Sequence, residues 1–179
     1  MLATIMSLVQ TQSTESGAES KSTDTILPLC ATGGHDRHVM VFQTAAGLEE
    51  DVFANTGPWK QIHTMKGHQG VVNDLVFHRD LLFSCSDDGT VRSWNVKTGE
   101  KTRIYRGGNG WFSALAVDGP ALFGASSDGT AYAWDIASAR LVQTYSCHSH
   151  RGGWIRSIAV DGPNKRVYTA GSDGAIVEW

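Results

Sequence analysis

Hydrophobic residues from Ile26 onward occur in short apolar or alternating runs, and turns rich in Asp-Gly, Gly-Gly and Gly-Pro separate these runs. No stretch shows the apolar stripe, repeating every three to four residues, that marks an amphipathic helix. Short strands joined by tight turns are predicted, which is typical of an all-β protein. The preceding residues 1–25 are predicted to be a disordered lead-in, because residues 11–25 are polar and low in complexity.

One nine-residue phrase recurs within this pattern. It reads SDDGTVRSW at 86–94, SSDGTAYAW at 126–134 and GSDGAIVEW at 171–179, and in each copy a tryptophan follows six positions after the Asp of Asp-Gly. A degraded copy, GGHDRHVMVF, lies upstream and has phenylalanine in place of the tryptophan. The surplus residues between this copy and the next fall in 45–58, which we predict to be an inserted loop.

Each phrase belongs to a longer unit of four strands. VVNDLVF, WFSALAV and WIRSIAV supply a first strand, and LLFSCS, ALFGAS and RVYTAGS supply a second. The phrase then provides a two-residue Asp-Gly hairpin and a third strand, and KTRIYR or LVQTYS provides a fourth. Four antiparallel strands in about 40–45 residues are the size of one propeller blade. The predicted repeats are 26–66, 67–106, 107–146 and 147–179, the last of them truncated after its third strand.

These features resemble the WD40-repeat family over residues 26–179. In that family a blade can hold a buried network of His, Ser or Thr, Asp and Trp, and the second repeat has all four as His68, Ser84, Asp88 and Trp94. The resemblance implies an all-β, WD40-type β-propeller of about three and a half four-stranded blades, in an open or incomplete ring. It also implies that the network is structural, since its hydrogen bonds satisfy buried polar groups.

The other repeats match this network in part. The third repeat keeps Asp128 and Trp134, whereas glycine occupies its His and Ser positions. The first repeat keeps Thr32 and Asp36 and has phenylalanine at the Trp position. The fourth repeat keeps three of the positions and has two candidates for the histidine: Thr169, Asp173 and Trp179, with His148 or His150.

The second repeat also contains the residue types of a hydrolase triad. A structural network is the better interpretation, because the same positions recur in degraded form along the chain whereas an enzyme needs its nucleophile once. The chain is therefore predicted not to be an enzyme. Cys147-His148-Ser149-His150 lacks a clear second pair of ligands for zinc and is interpreted as a surface loop, so no metal or cofactor is predicted.

Two tryptophans outside the phrases occupy equivalent positions. Trp111 and Trp154 each lie one residue before the apolar residue that opens the first strand. The resemblance implies that this position lies near the mouth of the central channel, on the face where partners commonly dock, and exposed aromatic residues there make strong contacts. The alternative is that both rings fill space between blades. The residues expected to border the same face are His35, Asp87, Ser127, Ser172 and Arg156.

Composition limits the remaining classes of partner. The formal net charge is −3 and the basic residues are scattered, which argues against a nucleic-acid surface. Three cysteines without a CxxC pair favour a reducing compartment, and we expect a cytoplasmic or nuclear protein. No run approaches the roughly 18 apolar residues of a membrane span, so no membrane partner is predicted.

The predicted function is a non-catalytic scaffold that binds a protein or peptide at the channel mouth, as an adaptor in a larger complex. A regulatory or substrate-recognition fragment of a multidomain enzyme, such as a ubiquitin ligase subunit or a kinase, is the alternative. Nucleic-acid binding through basic loops is a weaker third interpretation. Because a closed WD40 ring usually has about six to eight blades, we expect a fragment of a longer protein, or two arcs that close one ring as a dimer.

Overall fold

The computed structural model describes residues 29–44, 59–146, 148 and 153–179. The predicted lead-in 1–25 and the predicted loop 45–58 lie outside these residues. Within the described ranges the backbone forms fourteen β-strands. The strands are β1 (Leu29–Gly33), β2 (His38–Thr44), β3 (Trp59–Lys66), β4 (Val72–His78), β5 (Leu81–Ser86), β6 (Thr90–Asn95), β7 (Lys101–Arg106), β8 (Phe112–Asp118), β9 (Ala121–Ser126), β10 (Thr130–Asp135), β11 (Leu141–Ser146), β12 (Ile155–Asp161), β13 (Arg166–Gly171) and β14 (Ile176–Glu178).

The strands form four antiparallel sheets, and within each sheet every strand pairs with the next along the chain. Sheet I contains β1–β3, sheet II β4–β7, sheet III β8–β11 and sheet IV β12–β14. Sheets II and III are therefore complete four-stranded units, and KTRIYR and LVQTYS form their outer strands, β7 and β11. The predicted all-β class and the four-stranded unit are confirmed. No helix in the described ranges has the length and apolar character needed to cross a bilayer.

The turn of each phrase differs in one detail from the predicted two-residue Asp-Gly hairpin. The closing hydrogen bond runs from the Gly89 amide to the Ser86 carbonyl at 3.2 Å, so the central residues are Asp87 and Asp88. Gly89 follows them at φ 71°, a left-handed conformation that glycine adopts without steric cost. The Asp88 carboxylate also accepts the Thr90 amide at 2.9 Å, which fixes the backbone on both sides of the glycine.

The core lies between the sheets. In β5, Leu82 packs toward sheet I and Phe83 toward sheet III, and in β9 Leu122 and Phe123 repeat this alternation. Strands that are buried on both faces need apolar residues at successive positions, which explains the near-continuous runs in the sequence. Among the described residues the buried side chains form three apolar clusters, one at each junction between neighbouring sheets.

The repeated tryptophan of each phrase packs on the preceding sheet. The Trp134 ring lies 6.1 Å from the Tyr105 ring of sheet II, and the Trp179 ring lies 5.4 Å from the Tyr145 ring of sheet III. Trp94 shares a cluster with residues of sheet I. The recurrence of the phrase therefore reflects one contact, an indole on the neighbouring sheet, that is made at three successive junctions.

The sheets approach one another most closely at their first strands. β4, β8 and β12 each contain a bulge, which leaves Asn73, Ser113 and Arg156 as the extra residues. The side-chain amide of Asn73 donates to the Phe112 carbonyl at 2.8 Å, and the Ser113 hydroxyl donates to the carbonyl of Ile155 at 2.6 Å. These bonds join consecutive first strands, and the sheets are arranged around them as the blades of an open β-propeller arc.

Candidate functional site

The structure brings the four predicted network residues of sheet II into contact. Nδ1 of His68 lies 2.8 Å from Oδ2 of Asp88, and Nε2 lies 2.8 Å from Oγ of Ser84. The Trp94 indole also donates to Ser84 Oγ at 2.8 Å. Because a carboxylate only accepts, Nδ1 of His68 donates to Asp88 and Nε2 accepts the Ser84 hydroxyl. The histidine therefore links the loop before β4 to the second strand and to the turn.

Asp88 is the centre of this network. Its carboxylate also accepts the Gln69 amide at 2.9 Å, the Thr90 hydroxyl at 2.6 Å and a guanidinium N–H of Arg92 at 3.3 Å. Burial by itself raises the pKa of Asp88, but the hydrogen bonds from His68, Thr90 and Gln69 outweigh it and hold the pKa well below its ordinary value. Asp88 is therefore a stable carboxylate inside the protein.

The same geometry excludes the hydrolase interpretation for this group. Ser84 is completely buried, and its hydroxyl oxygen accepts the Trp94 indole while the hydroxyl hydrogen points to His68. A nucleophile has to reach a substrate carbonyl and needs a free position beside it. His68, Ser84 and Asp88 therefore act as an internal hydrogen-bond chain.

In sheet III the network is built differently from the prediction. Asp128 and Trp134 are not bridged by a shared side chain: the Tyr132 hydroxyl donates to Asp128 Oδ2 at 2.8 Å, and the Trp134 indole donates to the Arg106 carbonyl at 2.8 Å. A Cβ at Gly108 would lie 2.1 Å from the Tyr132 hydroxyl. The absence of a side chain at the histidine position is thus what admits the phenol. Burial and the Asp128 carboxylate raise the pKa of Tyr132 to about 12.

Sheet IV contains a network like that of sheet II. Nδ1 of His148 lies 3.0 Å from Oδ1 of Asp173, and Nε2 lies 3.0 Å from the Thr169 hydroxyl oxygen. The Trp179 indole donates to the same hydroxyl at 3.1 Å. Of the two candidates left open by the sequence, His148 therefore occupies the network position. His150 lies outside the described residues.

Among the described residues, sheet I has the turn aspartate without the buried network. Asp36 is exposed and accepts the backbone amide of His38 at 3.3 Å. Arg37, at φ 65°, stands where the other turns have glycine. The aspartate in this sheet therefore caps its own turn.

Trp111 and Trp154 lie at the end of the sheets that carries the Asp-Gly turns, which we call the turn end. The Trp111 amide donates to the Ser127 hydroxyl at 3.0 Å, and the Trp154 amide donates to the Ser172 hydroxyl at 2.9 Å. In return the amides of Ser127 and Ser172 donate to the carbonyls of Trp111 and Trp154 at 2.9 and 2.8 Å. Both tryptophan backbones are thus fixed from two sides.

The two indoles form one surface. Their ring centroids are 5.4 Å apart at an interplanar angle of 75°, an edge-to-face contact between sheets III and IV. Trp111 is half-buried, whereas Trp154 is 44% exposed. The Arg156 guanidinium carbon lies 5.3 Å from the centre of the Trp154 ring, within cation–π range. We call these three side chains the indole surface: Trp111, Trp154 and Arg156.

The remaining predicted partner-binding residues also lie at the turn end. Asp87 is exposed, and its carboxylate accepts the Asn73 side-chain amide at 2.7 Å. His35 is exposed in the turn between β1 and β2. The serines Ser127 and Ser172 support the indole backbones. The structure therefore brings the serines, the tryptophans and Arg156 together, while Asp87 and His35 belong to sheets II and I.

Sequence reasoning missed a groove at the opposite end, between sheets II and III. It has a volume of about 330 Å³, and its lining includes Leu81, Pro120, Ile136 and Arg79. Arg79 has φ 55°, whereas the matching turn of sheet III has Gly119 at φ 53°. An arginine thus occupies a backbone conformation that favours glycine.

Cysteine and metal chemistry add little to the site. Cys30 and Cys85 are buried free thiols, and burial raises the pKa of both, which suppresses the reactive thiolate. Cys147 lies outside the described residues. Within the part of the chain that the structure describes, no three His, Cys, Asp or Glu side chains are placed to share a metal ion.

Comparison with known proteins identifies the repeats. Residues 59–95 and 139–179 match the family model described as WD domain, G-beta repeat. Each match begins at the outer strand of one sheet, β3 or β11, and continues through the first three strands of the next. The matched unit is therefore offset by one strand from the sheet.

Two kinds of relative share this pattern. A stretch of 61 residues is 34% identical to the nuclear distribution protein PAC1 of Eremothecium gossypii and covers 34% of this chain. A stretch of 77 residues is 36% identical to pre-mRNA-processing factor 19 of Homo sapiens and covers 42% of this chain. The matched stretch spans 13% of the length of either relative.

Solved structures show the same architecture. The computationally designed Ika8 protein superposes with a TM-score of 0.67 at 23% identity, over 90% of this chain and 44% of that chain. The computationally designed Ika4 protein gives 0.67 at 22% identity, over 97% of this chain and 96% of that chain. At these identities the likeness establishes the fold alone. Since residues 59–95 and 139–179 match the repeat model and the sheet that lies between these segments has the same topology, this chain contains WD40 repeats and has the fold of a partial β-propeller.

Proposed function

We propose that the chain is a non-catalytic scaffold that presents the indole surface at the turn end to a protein or peptide partner. The observation that carries this proposal is the exposure of Trp154, edge-to-face against Trp111, on backbones that two serines fix. A large aromatic side chain that is already held in place loses little entropy on binding, and tryptophan is enriched among the residues that dominate binding energy. The fold supplies rigidity and the indole surface supplies the contact.

An adaptor role in a larger assembly follows from this proposal. The relatives are named for nuclear distribution and for pre-mRNA processing, and we infer a comparable place within a complex, in the cytoplasm or the nucleus. The buried free thiols of Cys30 and Cys85 support a reducing compartment.

A regulatory or substrate-recognition segment of a multidomain enzyme is the second candidate. It is favoured by one observation: the stretch that matches this chain is a small part of each relative, 13% of its length. The docking surface would be the same in both cases. The sequence of the full-length transcript distinguishes them, because only the second candidate requires a catalytic domain in the same chain.

The test compares partner capture by three proteins: the wild type, the Trp111→Ala, Trp154→Ala double variant, and Trp59→Ala. Trp59 is 37% exposed on the outer strand β3, so its removal takes away an exposed indole far from the turn end. We expect wild type and Trp59→Ala to capture the same partners by chemical cross-linking, and the double variant to lose them. The thermal unfolding of the double variant should be the same as that of wild type. Recovery of the same proteins by all three would refute the docking surface.

A further inference from the structure

The contacts of the Arg156 guanidinium bear on the chemistry of the proposed partner. Among the described residues its guanidinium forms no ion pair and no hydrogen bond, and its recorded contact is with the face of the Trp154 ring. Two of the other arginines in the strands have acidic partners: Arg92 pairs with Asp88 at 3.3 Å and Arg166 with Glu178 at 2.9 Å. Within the part of the chain that the structure describes, the N–H donors of Arg156 at the turn end therefore have no acceptor.

Arg156 differs in its contacts from the equivalent bulge residues of the other sheets. The equivalent bulge residues Asn73 and Ser113 direct their side chains to the carbonyls of Phe112 and Ile155 on the next first strand. Among the described residues Arg156 has no such bond, and its guanidinium lies over the exposed Trp154 ring. A guanidinium held on an aromatic ring has lost part of its rotamer freedom before it binds anything, and its fork of N–H groups matches the two oxygens of a carboxylate.

We propose that the indole surface recognises an extended acidic peptide, with an apolar or aromatic side chain on the indoles and an Asp or Glu carboxylate on Arg156. This inference rests on the proposed docking function. Side chains two residues apart on an extended peptide lie on one side and are separated by roughly 7 Å. The ring centroids of the two indoles are 5.4 Å apart, and the Arg156 guanidinium carbon lies 5.3 Å from the centre of the Trp154 ring. Both distances are within that separation.

Charge at the turn end selects a peptide over a nucleic acid. Asp87 is exposed at this end, and the chain has a net charge of −3. A polyphosphate backbone needs several neighbouring cations for affinity, whereas the indole surface offers one. A single carboxylate beside an apolar side chain satisfies that one cation and covers both rings.

The experiment uses a positional library of fluorescent eight-residue peptides with a fixed Trp, Phe or Leu, and Glu, Gln, phosphoserine or Lys two positions away. We expect wild type to prefer Glu over Gln roughly ten-fold or more. Arg156→Ala should remove this preference while binding of the apolar side chain persists, and Arg156→Lys should retain part of it. Arg103→Ala, a change at an exposed arginine on the outer strand β7, is the charge-matched control and should behave as wild type.

The outcomes separate the two proposals. If Trp111→Ala, Trp154→Ala binds the peptides as wild type does, the docking surface itself is wrong. If only the tryptophans matter and Arg156→Ala keeps the same Glu preference, docking stands and the acidic partner is wrong. A preference for Lys or Gln, tighter binding of phosphoserine than of Glu, or no selection of any acidic peptide would also overturn the carboxylate assignment.

Discussion

The Tyr132 hydroxyl lies 2.8 Å from Oδ2 of Asp128, in the position where sheets II and IV have a histidine ring. The phenol reaches this position from the third strand, whereas the histidines reach it from the loop before the first strand. Two glycines leave space for the rings of sheet III. A Cβ at Gly108 would collide with Tyr132, and a Cβ at Gly124 would collide with Trp134. In sheet III the hydrogen-bond donor to the turn carboxylate is therefore Tyr132 instead of a histidine.

Tyr132→Phe should destabilise the protein by about 1–3 kcal/mol, because Asp128 Oδ2 loses its donor in a part-buried position. The ring contacts of Tyr132 with Phe112 and Trp134 remain in this variant. Urea unfolding followed by tryptophan fluorescence measures the difference. Tyr145→Phe is the control, because Tyr145 makes a ring contact with Trp179 but no hydrogen bond through its hydroxyl in the described residues. Equal losses of unfolding free energy in both variants would contradict a stabilising hydrogen bond from Tyr132 to Asp128.

Asp88→Ala should lower the free energy of unfolding more than Asp128→Ala. Asp88 accepts donors from His68, Gln69, Thr90 and Arg92, whereas Asp128 accepts the Thr130 amide and Tyr132. Each donor left unsatisfied in the interior costs about 1–3 kcal/mol. Thermal and urea unfolding of both variants, beside wild type, give the comparison. An equal or smaller loss for Asp88→Ala than for Asp128→Ala would show that the network in sheet II is not the more stabilising one.

Stability should fall with acid in a way that depends on Asp88. Its folded-state pKa lies below the unfolded value of about 4, so its contribution to stability is present above that unfolded value and is lost as the pH falls toward the folded one. Asp88→Asn removes the titrating group and keeps the shape. The difference in unfolding free energy between pH 7 and pH 3 should be smaller in this variant than in wild type. An unchanged pH dependence would mean that other carboxylates account for it.

Asp74→Ala should loosen the junction between sheets II and III. Asp74 Oδ2 accepts the Leu115 amide of the neighbouring first strand at 2.7 Å, and an alanine is sterically acceptable because sheet III has Ala114 at the same position. A cost of about 1–3 kcal/mol is expected for the unsatisfied amide, together with faster hydrogen exchange at Leu115. Ser157→Ala, at the equivalent exposed position of sheet IV, should leave that exchange rate unchanged. Protection of the Leu115 amide in Asp74→Ala would rule out the bond as the link.

Arg79→Gly should be neutral or slightly stabilising, and the reverse change Gly119→Arg should destabilise. A left-handed conformation costs an L-residue roughly 1–2 kcal/mol, which glycine avoids at a cost in unfolded-chain entropy of up to about 1 kcal/mol. Arg79 at φ 55° and Gly119 at φ 53° occupy matching turns, so the two changes form a reciprocal pair. Differential scanning calorimetry measures both changes. A marked loss of stability in Arg79→Gly would contradict the prediction, because it would show that a contact of the arginine side chain offsets its backbone strain.

Much of the fold could be predicted because the same spacing recurs. The interval from turn aspartate to tryptophan fixes a hairpin and a buried indole, and three copies at regular separations imply three equivalent junctions. Tyr132 and Arg92 could not be predicted in the same way, because each occurs once, at the fourth position after the turn aspartate. Which hydrogen bonds Tyr132 and Arg92 can form depends on whether a side chain or a glycine lies opposite each of them in the folded chain. Gly108 and Gly124 together with a tyrosine were the available signal for sheet III.

The placement of the two tryptophans could be predicted, but the contacts among the side chains of the indole surface could not. The equivalence of Trp111 and Trp154 in the repeats placed both at one end, but their edge-to-face contact depends on the distance between neighbouring sheets, which no single repeat encodes. The contact of Arg156 with Trp154 likewise depends on a bulge that reorients one residue of β12. Bulges follow from register between strands, and a one-residue irregularity leaves little trace in an alternating pattern.

The one-strand offset between the matched sequence unit and the sheet limits how this protein can be re-engineered. A segment such as 59–95 takes the outer strand away from one sheet and leaves the next without its own. Exchange of a whole sequence unit between homologues would therefore create two hybrid sheets, one at each crossover, with mismatched edges. Crossovers placed in the connections from β7 to β8 or from β3 to β4 would transfer intact sheets, so that only the apolar contacts between neighbours need to be compatible.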